Sequence, residues 1–196
     1  MHTVLMFLGK GFEDLEAATM VDVLGWTRLR DTTESIALKT CAFHDQVEGR
    51  FGVNIAVDIN LQKQSVDSSG FDALVVPGGF HSHGFDEAYS EDLHRIARAF
   101  HERQKPIATL CVGVLPIADA GLLEGKKATT YGLSELHNNP ERLKQGGAEY
   151  TGKDVEFDGG IISCAGPANA LEVAFKLVEL LTGEENLKKV KALMIA

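Results

Sequence analysis

The sequence predicts an α/β domain in which helices cover both faces of a doubly wound, mostly parallel sheet. Short apolar runs alternate with longer segments of helical periodicity, which is typical of βαβ units. The 196 residues fit one domain, and no repeat, low-complexity tract or interdomain linker divides them. We therefore expect a single domain over residues 1–196.

Strands and helices alternate through the first half of the chain. The first apolar run is interpreted as a buried strand rather than a targeting segment, because it is short and no basic region precedes it. Ser90 is a suitable N-cap, and Gly49 and Gly52 indicate a small hairpin or bulge within Val47–Leu61. The predicted strands are Thr3–Leu8, Ile36–Phe43 and Phe71–Val76, and the predicted helices are Phe12–Arg30 and Ser90–Gln104.

Proline and glycine mark the element boundaries in the second half. Pro116 is expected to kink its helix early or to mark the start of its regular turns, and Pro140 to interrupt the next helix. Pro167 suits the first position of a helix, and Gly183 ends that helix. The predicted strands are Ile107–Leu110, Ala128–Thr130, Glu149–Phe157 and Ile161–Cys164, and the predicted helices are Val112–Leu122, Leu133–Gln145, Pro167–Leu181 and Glu184–Met194.

Composition and charge exclude several classes of function. The net charge of −9 argues against a nucleic-acid partner, because phosphate binding requires clustered Lys and Arg. No apolar run approaches the ~20 residues of a membrane span. Three widely spaced cysteines, without a Cys-x-x-Cys pair, are typical of a reducing cytoplasm. We therefore expect a cytoplasmic protein that acts on a small molecule and carries no cofactor.

Cys111 lies where a strand passes into a helix without loop residues between them. Such a junction forces a tight turn that presents the side chain above the carboxyl end of the strand, as in a nucleophile elbow. The helix N-terminus is expected to lower the pKa of the thiol. The alternative is a buried structural cysteine. Cys41 and Cys164 lie within or at the end of apolar strands and are interpreted as core residues.

Other polar residues are placed near the same sheet edge. Glu16 lies on an apolar helical stripe, so burial would raise its pKa and leave it protonated, although it could instead reach solvent at the edge of the stripe. Gly78 and Gly79 end a strand expected beside that of Cys111, where their N–H groups could face an oxyanion, or form a plain turn. His81 and His83 follow and are interpreted chiefly as solvated loop residues; no metal site is expected, because their His-x-His spacing lacks a second ligand pair.

Together these stretches resemble the ThiJ/PfpI superfamily, whose flavodoxin-like fold is similar to that of the class I glutamine amidotransferases. The resemblance implies that Cys111 is the nucleophile, Glu16 a protonated glutamate, and Gly78, Gly79 and Val112 the oxyanion-hole backbone. It also implies a homodimer. The matching stretches are Gly11–Glu16, Asp72–Gly79, Ile107–Gly113, Gly121–Tyr131 and Gly166-Pro167.

Two departures from the family pattern concern the general base. Tyr131 stands where relatives with glyoxalase or deglycase activity usually carry histidine, and Val112 where the protease-like branch does. Tyr131 could still donate a hydrogen bond or, with a lowered pKa, move a proton. The late His-x-Glu pair of the glutamine amidotransferases is missing, so peptidase and glutaminase activities are disfavoured.

Three functions remain open from the sequence. In the first, Cys111 attacks a small electrophile, such as a reactive aldehyde, a glycated adduct or an isocyanide, while Glu16 manages a proton. In the second, Cys111 is the oxidisable residue of a redox sensor or protective chaperone. In the third, the fold is a relic and the cysteine is structural. The substrate and the general base are left unassigned.

Overall fold

A computed structural model of the protein describes residues 1–31 and 33–196. Its main sheet has seven strands in the order β10-β11-β7-β6-β1-β2-β5. The strands are β1 (His2–Phe7), β2 (Ile36–Ala42), β3 (Gln46–Glu48), β4 (Asn54–Ala56), β5 (Ile59–Asn60), β6 (Ala73–Val76), β7 (Ile107–Thr109), β8 (Lys127–Ala128), β9 (Glu149–Tyr150), β10 (Val155–Asp158) and β11 (Ile161–Cys164). Every pairing in this sheet is parallel except that of β10 with β11.

Helices pack on both faces of the sheet because successive strand residues point to opposite sides. Val4 and Met6 of β1 contact the layer of α1 and α5, while Leu5 and Phe7 contact the layer of α2 and α3. The inner strands β2-β1-β6-β7-β11 give the flavodoxin-like order expected from the resemblance. The helices are α1 (Asp14–Trp26), α2 (Glu91–Glu102), α3 (Val114–Asp119), α4 (Asn139–Gln145), α5 (Ala170–Thr182) and α6 (Glu184–Met194).

Several expected boundaries are confirmed. Ser90 caps α2 by accepting a hydrogen bond from the Leu93 N–H, and α6 covers the predicted residues. The expected hairpin is formed by β3 and β4. Helix α1 is shorter than predicted, because Phe12 pairs with Gly79 as an isolated bridge and the Glu13 side chain caps the helix from outside. None of the helices within residues 1–31 and 33–196 is long and apolar enough to cross a membrane.

The predicted helix over Leu133–Gln145 is wrong in its first half. Helix α4 begins at Asn139, and Asn138 caps it by accepting a hydrogen bond from the Glu141 N–H at 3.2 Å. Pro140 therefore lies in the first turn, where an N–H has no helical partner, and begins the helix instead of interrupting it. Residues 133–138 form a loop instead of the predicted helix, and this loop passes over the carboxyl end of the sheet beside Cys111.

The predicted strand Glu149–Phe157 is two strands. β9 pairs with β8 in a separate parallel ribbon, and β10 joins the edge of the main sheet. Gly152 separates them with a φ of 66°, a left-handed conformation that a glycine adopts without strain. The ribbon also replaces the predicted strand Ala128–Thr130, which leaves Thr129 and Thr130 outside it and beside the Cys111 turn.

Candidate active site

Cys111 occupies a strained turn between β7 and α3. Its φ is 51°, a left-handed conformation that costs a non-glycine residue about 1–3 kcal/mol. A short 3₁₀ turn, Cys111–Gly113, then leads into α3. Gly113 is required by close approach, because a Cβ there would lie 2.3 Å from the Val76 carbonyl oxygen. The structure thus confirms the nucleophile-elbow geometry expected at this position.

The loop after β6 packs its backbone directly against the cysteine. A Cβ on Gly78 would lie 3.0 Å from Cys111 Cβ and 3.0 Å from the Leu110 carbonyl oxygen. A Cβ on Gly79 would lie 2.2 Å from the Phe85 ring. Gly78 therefore allows the end of β6 to approach the Cys111 turn closely, and Gly79 allows the next residue of the loop to pack against Phe85.

Glu16 is fully buried on α1 and interacts with both Gly78 and Cys111. Its Oε2 accepts a hydrogen bond from the Gly78 N–H at 2.7 Å. Its Oε1 is buried without a hydrogen-bond partner, and the carboxyl lies close enough to the Cys111 thiol to interact with it. Burial raises the pKa of Glu16 to about 8, against the opposing effects of the Gly78 N–H and the thiol, with Glu13 adding to the rise. Glu16 is therefore protonated at neutral pH, as its helical stripe predicted.

The pKa of Cys111 does not move in the direction that we expected from the helix N-terminus. Burial raises it well above its usual value, the negative charge of ionised Glu16 raises it further, and the Val112 N–H opposes both. The helix that follows is preceded by an irregular turn, so its dipole does not overcome burial. Once Glu16 is protonated, its contribution to the rise disappears. The resting pair is accordingly a neutral carboxyl beside a thiol.

One of the three backbone groups expected in the oxyanion hole, the Gly78 N–H, does not take that role. The Gly78 N–H already donates to Glu16, so it does not face a substrate oxygen. Gly79 and Val112 line the cavity next to Cys111 and remain the candidate backbone donors. The Gly78 N–H instead orients the Glu16 carboxyl, which interacts with the Cys111 thiol.

A cavity of about 370 Å³ opens beside Cys111 at the carboxyl end of the sheet. Tyr131 lines it, as the resemblance implied, and so do His81 and His137. Its rim is apolar, and Phe51 and Phe80 form an edge-to-face pair there with ring centroids 5.7 Å apart.

The structure separates the two histidines that the sequence placed together. His81 lines the Cys111 cavity, whereas His83 lines a different groove with Lys10 and Arg50. His137 was missed by the sequence reasoning because it falls in the segment that was interpreted as helix. The sequence signal that would have placed His137 in a loop was Asn138, a good N-cap that implies a loop just before it. Within the described ranges, 1–31 and 33–196, no group of three His, Cys, Asp or Glu side chains could hold a metal ion.

Comparisons with known proteins find a matching family model and relatives that align with most of this chain. The DJ-1/PfpI family model matches residues 2–180. Protein DJ-1 homolog A from Arabidopsis thaliana is 28% identical over 98% of this chain, which spans 46% of that protein's length. Deglycase PfpI from Pyrococcus furiosus is 27% identical over 91% of this chain and 98% of its own length. The crystal structure of Drosophila melanogaster DJ-1beta has a TM-score of 0.81 at 26% identity, covering 100% of this chain and 98% of that one.

Proposed function

We propose that this chain, which belongs to the DJ-1/PfpI family, is a cysteine-dependent enzyme that acts on a small electrophile, such as a reactive aldehyde, a glycated adduct or an isocyanide. The observation that carries the proposal is the pairing of a strained, cavity-facing Cys111 with a buried Glu16 whose pKa is raised to about 8. Structural cysteines need neither feature. A deglycase among the relatives supports the same reaction class.

The first chemical step is addition of the Cys111 sulfur to a carbonyl carbon. An S–C bond forms, and negative charge develops on the carbonyl oxygen, where the N–H groups of Gly79 and Val112 are proposed to hold it. Glu16 keeps a proton beside the sulfur and so stabilises it as the thiol ionises. Because Glu16 already carries its proton, the proton that Cys111 releases has to reach a second group.

The cavity favours an uncharged electrophile with an apolar substituent. Its volume of about 370 Å³ suits a small molecule. Phe51, Phe80, Leu133 and Leu136 are exposed around its mouth, and no Lys or Arg is among the described residues that line it. Aryl or alkyl dicarbonyls and isocyanides fit this lining better than anionic substrates do. Peptides remain disfavoured because Val112 replaces the histidine of the protease-like branch, and glutamine because the late His-x-Glu pair is missing.

The test is turnover of phenylglyoxal, methylglyoxal and cyclohexyl isocyanide by the wild type and Cys111→Ser. We expect Cys111→Ser to lose activity by about 10⁴-fold or more, as removal of a nucleophile does elsewhere. Cys41→Ser is the matched control, because Cys41 is a fully buried thiol outside the cavity. Equal activity in the wild type and Cys111→Ser, or no turnover of any compound, would contradict the proposal.

A redox role is the second candidate, and one observation favours it. Cys111 is 9% exposed, whereas Cys41 and Cys164 are both 0% exposed, so an oxidant reaches one sulfur first. Protonated Glu16 and the Val112 N–H could then hydrogen-bond a sulfinate. Mass spectrometry after peroxide treatment should place two added oxygens on Cys111. Oxidation spread over all three cysteines would argue against a sensor.

We also propose the homodimer that the resemblance implies. A groove of about 410 Å³ between α1 and α5 is lined by Leu15, Leu171 and Met194. Leu15 is 54% and Leu171 is 42% exposed, an apolar surface that pairing would cover. Light scattering should give a dimer mass for the wild type and a monomer mass for Leu171→Glu. A monomeric wild type at micromolar concentration would contradict the proposal.

A further inference from the structure

The geometry points to His81, oriented by Asp86, as the catalytic residue that moves protons in the Cys111 cavity. This inference rests on the proposed function and supplies the base that neither Tyr131 nor Val112 provides. It starts from the titratable side chains around the cavity, which are Glu13, His81, Cys111, Tyr131 and His137 among the described residues.

Glu13 and Tyr131 are poorly suited to this role. The Glu13 carboxylate accepts a hydrogen bond from the Glu16 N–H at 2.8 Å, so it is engaged as the N-cap of α1. Tyr131 presents a phenol hydroxyl, which lacks the basic ring nitrogen with which an imidazole accepts a proton. The choice therefore falls on the two histidines.

His81 is distinguished from His137 by a carboxylate partner. Its Nδ1 lies 2.6 Å from Asp86 Oδ1, which sets the tautomer with the proton on Nδ1 and the lone pair on Nε2. Among the described residues none hydrogen-bonds Nε2, so this nitrogen is open to a ligand. A carboxylate, an imidazole and a thiol around one cavity are the groups that cysteine-dependent catalysis combines.

Aromatic contacts fix the His81 ring. It stacks on Tyr89 with centroids 5.5 Å apart and an interplanar angle of 19°, and it meets the buried Phe85 edge-on at 6.2 Å. The His137 ring lies 5.1 Å from it at an interplanar angle of 56°. An imidazole held in this way keeps one orientation, which proton transfer requires.

The local chain explains why His81 and Asp86 meet. Residues His81–His83 form a 3₁₀ turn, and Gly84 follows with a φ of 93°. That left-handed turn sends the chain back along itself, which places Asp86 beside the His81 ring. The contact between His81 and Asp86 lies within one short segment, residues 81–86, and does not involve the Cys111 turn.

The titratable groups that face His81 are Asp86 on its own segment, Tyr89 on the following turn and His137 on the segment before α4. Arg142 of α4 lies beyond them, over the Tyr89 ring at 4.1 Å. Burial raises the pKa of Tyr89, so its phenol stays neutral through the working range. An acid limb of the pH–rate profile that disappears when a histidine is replaced therefore reports an imidazole in this cavity.

The role can be written for an α-dicarbonyl such as phenylglyoxal. Cys111 adds to the aldehyde carbon: the S–C bond forms and the thiol proton ends on the oxygen. His81 Nε2 then removes the C–H proton, and the electron pair forms a C=C bond while the neighbouring carbonyl oxygen takes the negative charge of an enediolate. The imidazolium returns the proton to the neighbouring carbon, and the hydroxyl proton of the first carbon passes to the enediolate oxygen, which leaves a thioester carbonyl. The aldehyde carbon is oxidised and its neighbour reduced, so no outside oxidant is needed. Water hydrolyses the resulting thioester, which releases a 2-hydroxy acid and the thiol.

The experiment measures kcat/KM for phenylglyoxal against pH in the wild type, His81→Ala, Asp86→Asn and His83→Gln. We expect His81→Ala to lose about 10²–10⁴-fold in kcat/KM and to lose the acid limb of the profile, and added imidazole to restore part of the rate. Asp86→Asn should lose about 10-fold and keep the limb. His83→Gln should match the wild type, because His83 lies in another groove.

Two further measurements separate the possible failures. The alkylation rate of Cys111 should be unchanged in His81→Ala, which shows that the elbow is intact. If Cys111→Ser abolishes turnover while His81→Ala keeps the rate and the limb, the assignment of His81 is wrong and the proposed function stands. Loss of the limb in His137→Gln instead would equally overturn the assignment. Absence of wild-type turnover would overturn both.

Discussion

Cys111 and Cys164 are both buried at the ends of neighbouring parallel strands, but they differ in backbone conformation and in access to the cavity. β7 and β11 pair with Ile107 beside Ile161, so both cysteines reach the same edge of the sheet. Cys164 ends its strand in extended backbone, and its fully buried thiol donates to the Gly166 carbonyl oxygen at 3.5 Å. Cys111 turns out of its strand with a φ of 51° and faces the cavity. Position at a strand end therefore does not by itself expose a cysteine to the cavity. The backbone turn at the cysteine decides whether its side chain faces the cavity.

The largest effect expected from this difference is on modification by iodoacetamide. Alkylation of Cys164 needs the core to open, which at about 4 kcal/mol or more suppresses its rate by at least about 10³-fold. Cys111 needs no such opening. Mass spectrometry of the native protein over time should find the label on Cys111 first, and comparable rates at Cys164 would break the comparison.

The next effect concerns the buried Glu16 carboxyl, which interacts with the Cys111 thiol. The pKa of Glu16 rises from 4.5 when unfolded to about 8 when folded, so the folded state binds more protons between these values. The contribution of Glu16 to the free energy of unfolding is therefore fully present below pH 4.5 and is lost as the pH rises through 8. Glu16→Gln, which cannot ionise, should therefore gain ~3–5 kcal/mol over the wild type between pH 5 and 9.

Urea unfolding of the wild type and Glu16→Gln at several pH values measures that gain. The other carboxyl groups are common to both proteins and cancel in the difference. A difference in unfolding free energy that does not change with pH would mean that Glu16 is ionised in the folded protein. The pairing with Cys111 would then need another explanation.

A smaller effect tests the close approach that shapes the turn. Gly113→Ala places a methyl group 2.3 Å from the Val76 carbonyl oxygen, so the turn has to shift. We expect a loss of about 3 kcal/mol by urea unfolding. Gly25→Ala is the matched control on α1, because a Cβ there meets nothing within 4 Å and a helix favours alanine by about 1 kcal/mol. Equal changes at both glycines would contradict the steric account.

The smallest effect should come from Cys164 itself. Cys164→Ser keeps a donor for the Gly166 carbonyl oxygen and should cost only about 1 kcal/mol in unfolding free energy. Turnover should be unchanged, because the side chain lies outside the cavity lining. A large loss of turnover without loss of stability would show that Cys164 also serves the site.

The sequence by itself determined the parts of this protein that depend on neighbouring residues. The alternation of apolar runs and helical periods predicted the strands of the sheet and the helices on its faces. The absence of loop residues around Cys111 predicted the elbow, and the stripe on α1 predicted a buried Glu16. Periodicity and steric limits act within a few residues, so they can be recognised without a fold.

Only the tertiary structure decided how distant segments share their polar groups. The Gly78 N–H donates to Glu16 rather than to a substrate, and burial outweighs the helix terminus at Cys111. The segment 133–138 becomes a loop because Asn138 caps α4, and it brings His137 to within 5.1 Å of His81. A hydrogen bond has one best partner and desolvation depends on every atom packed around a group, so these outcomes are set by the whole fold.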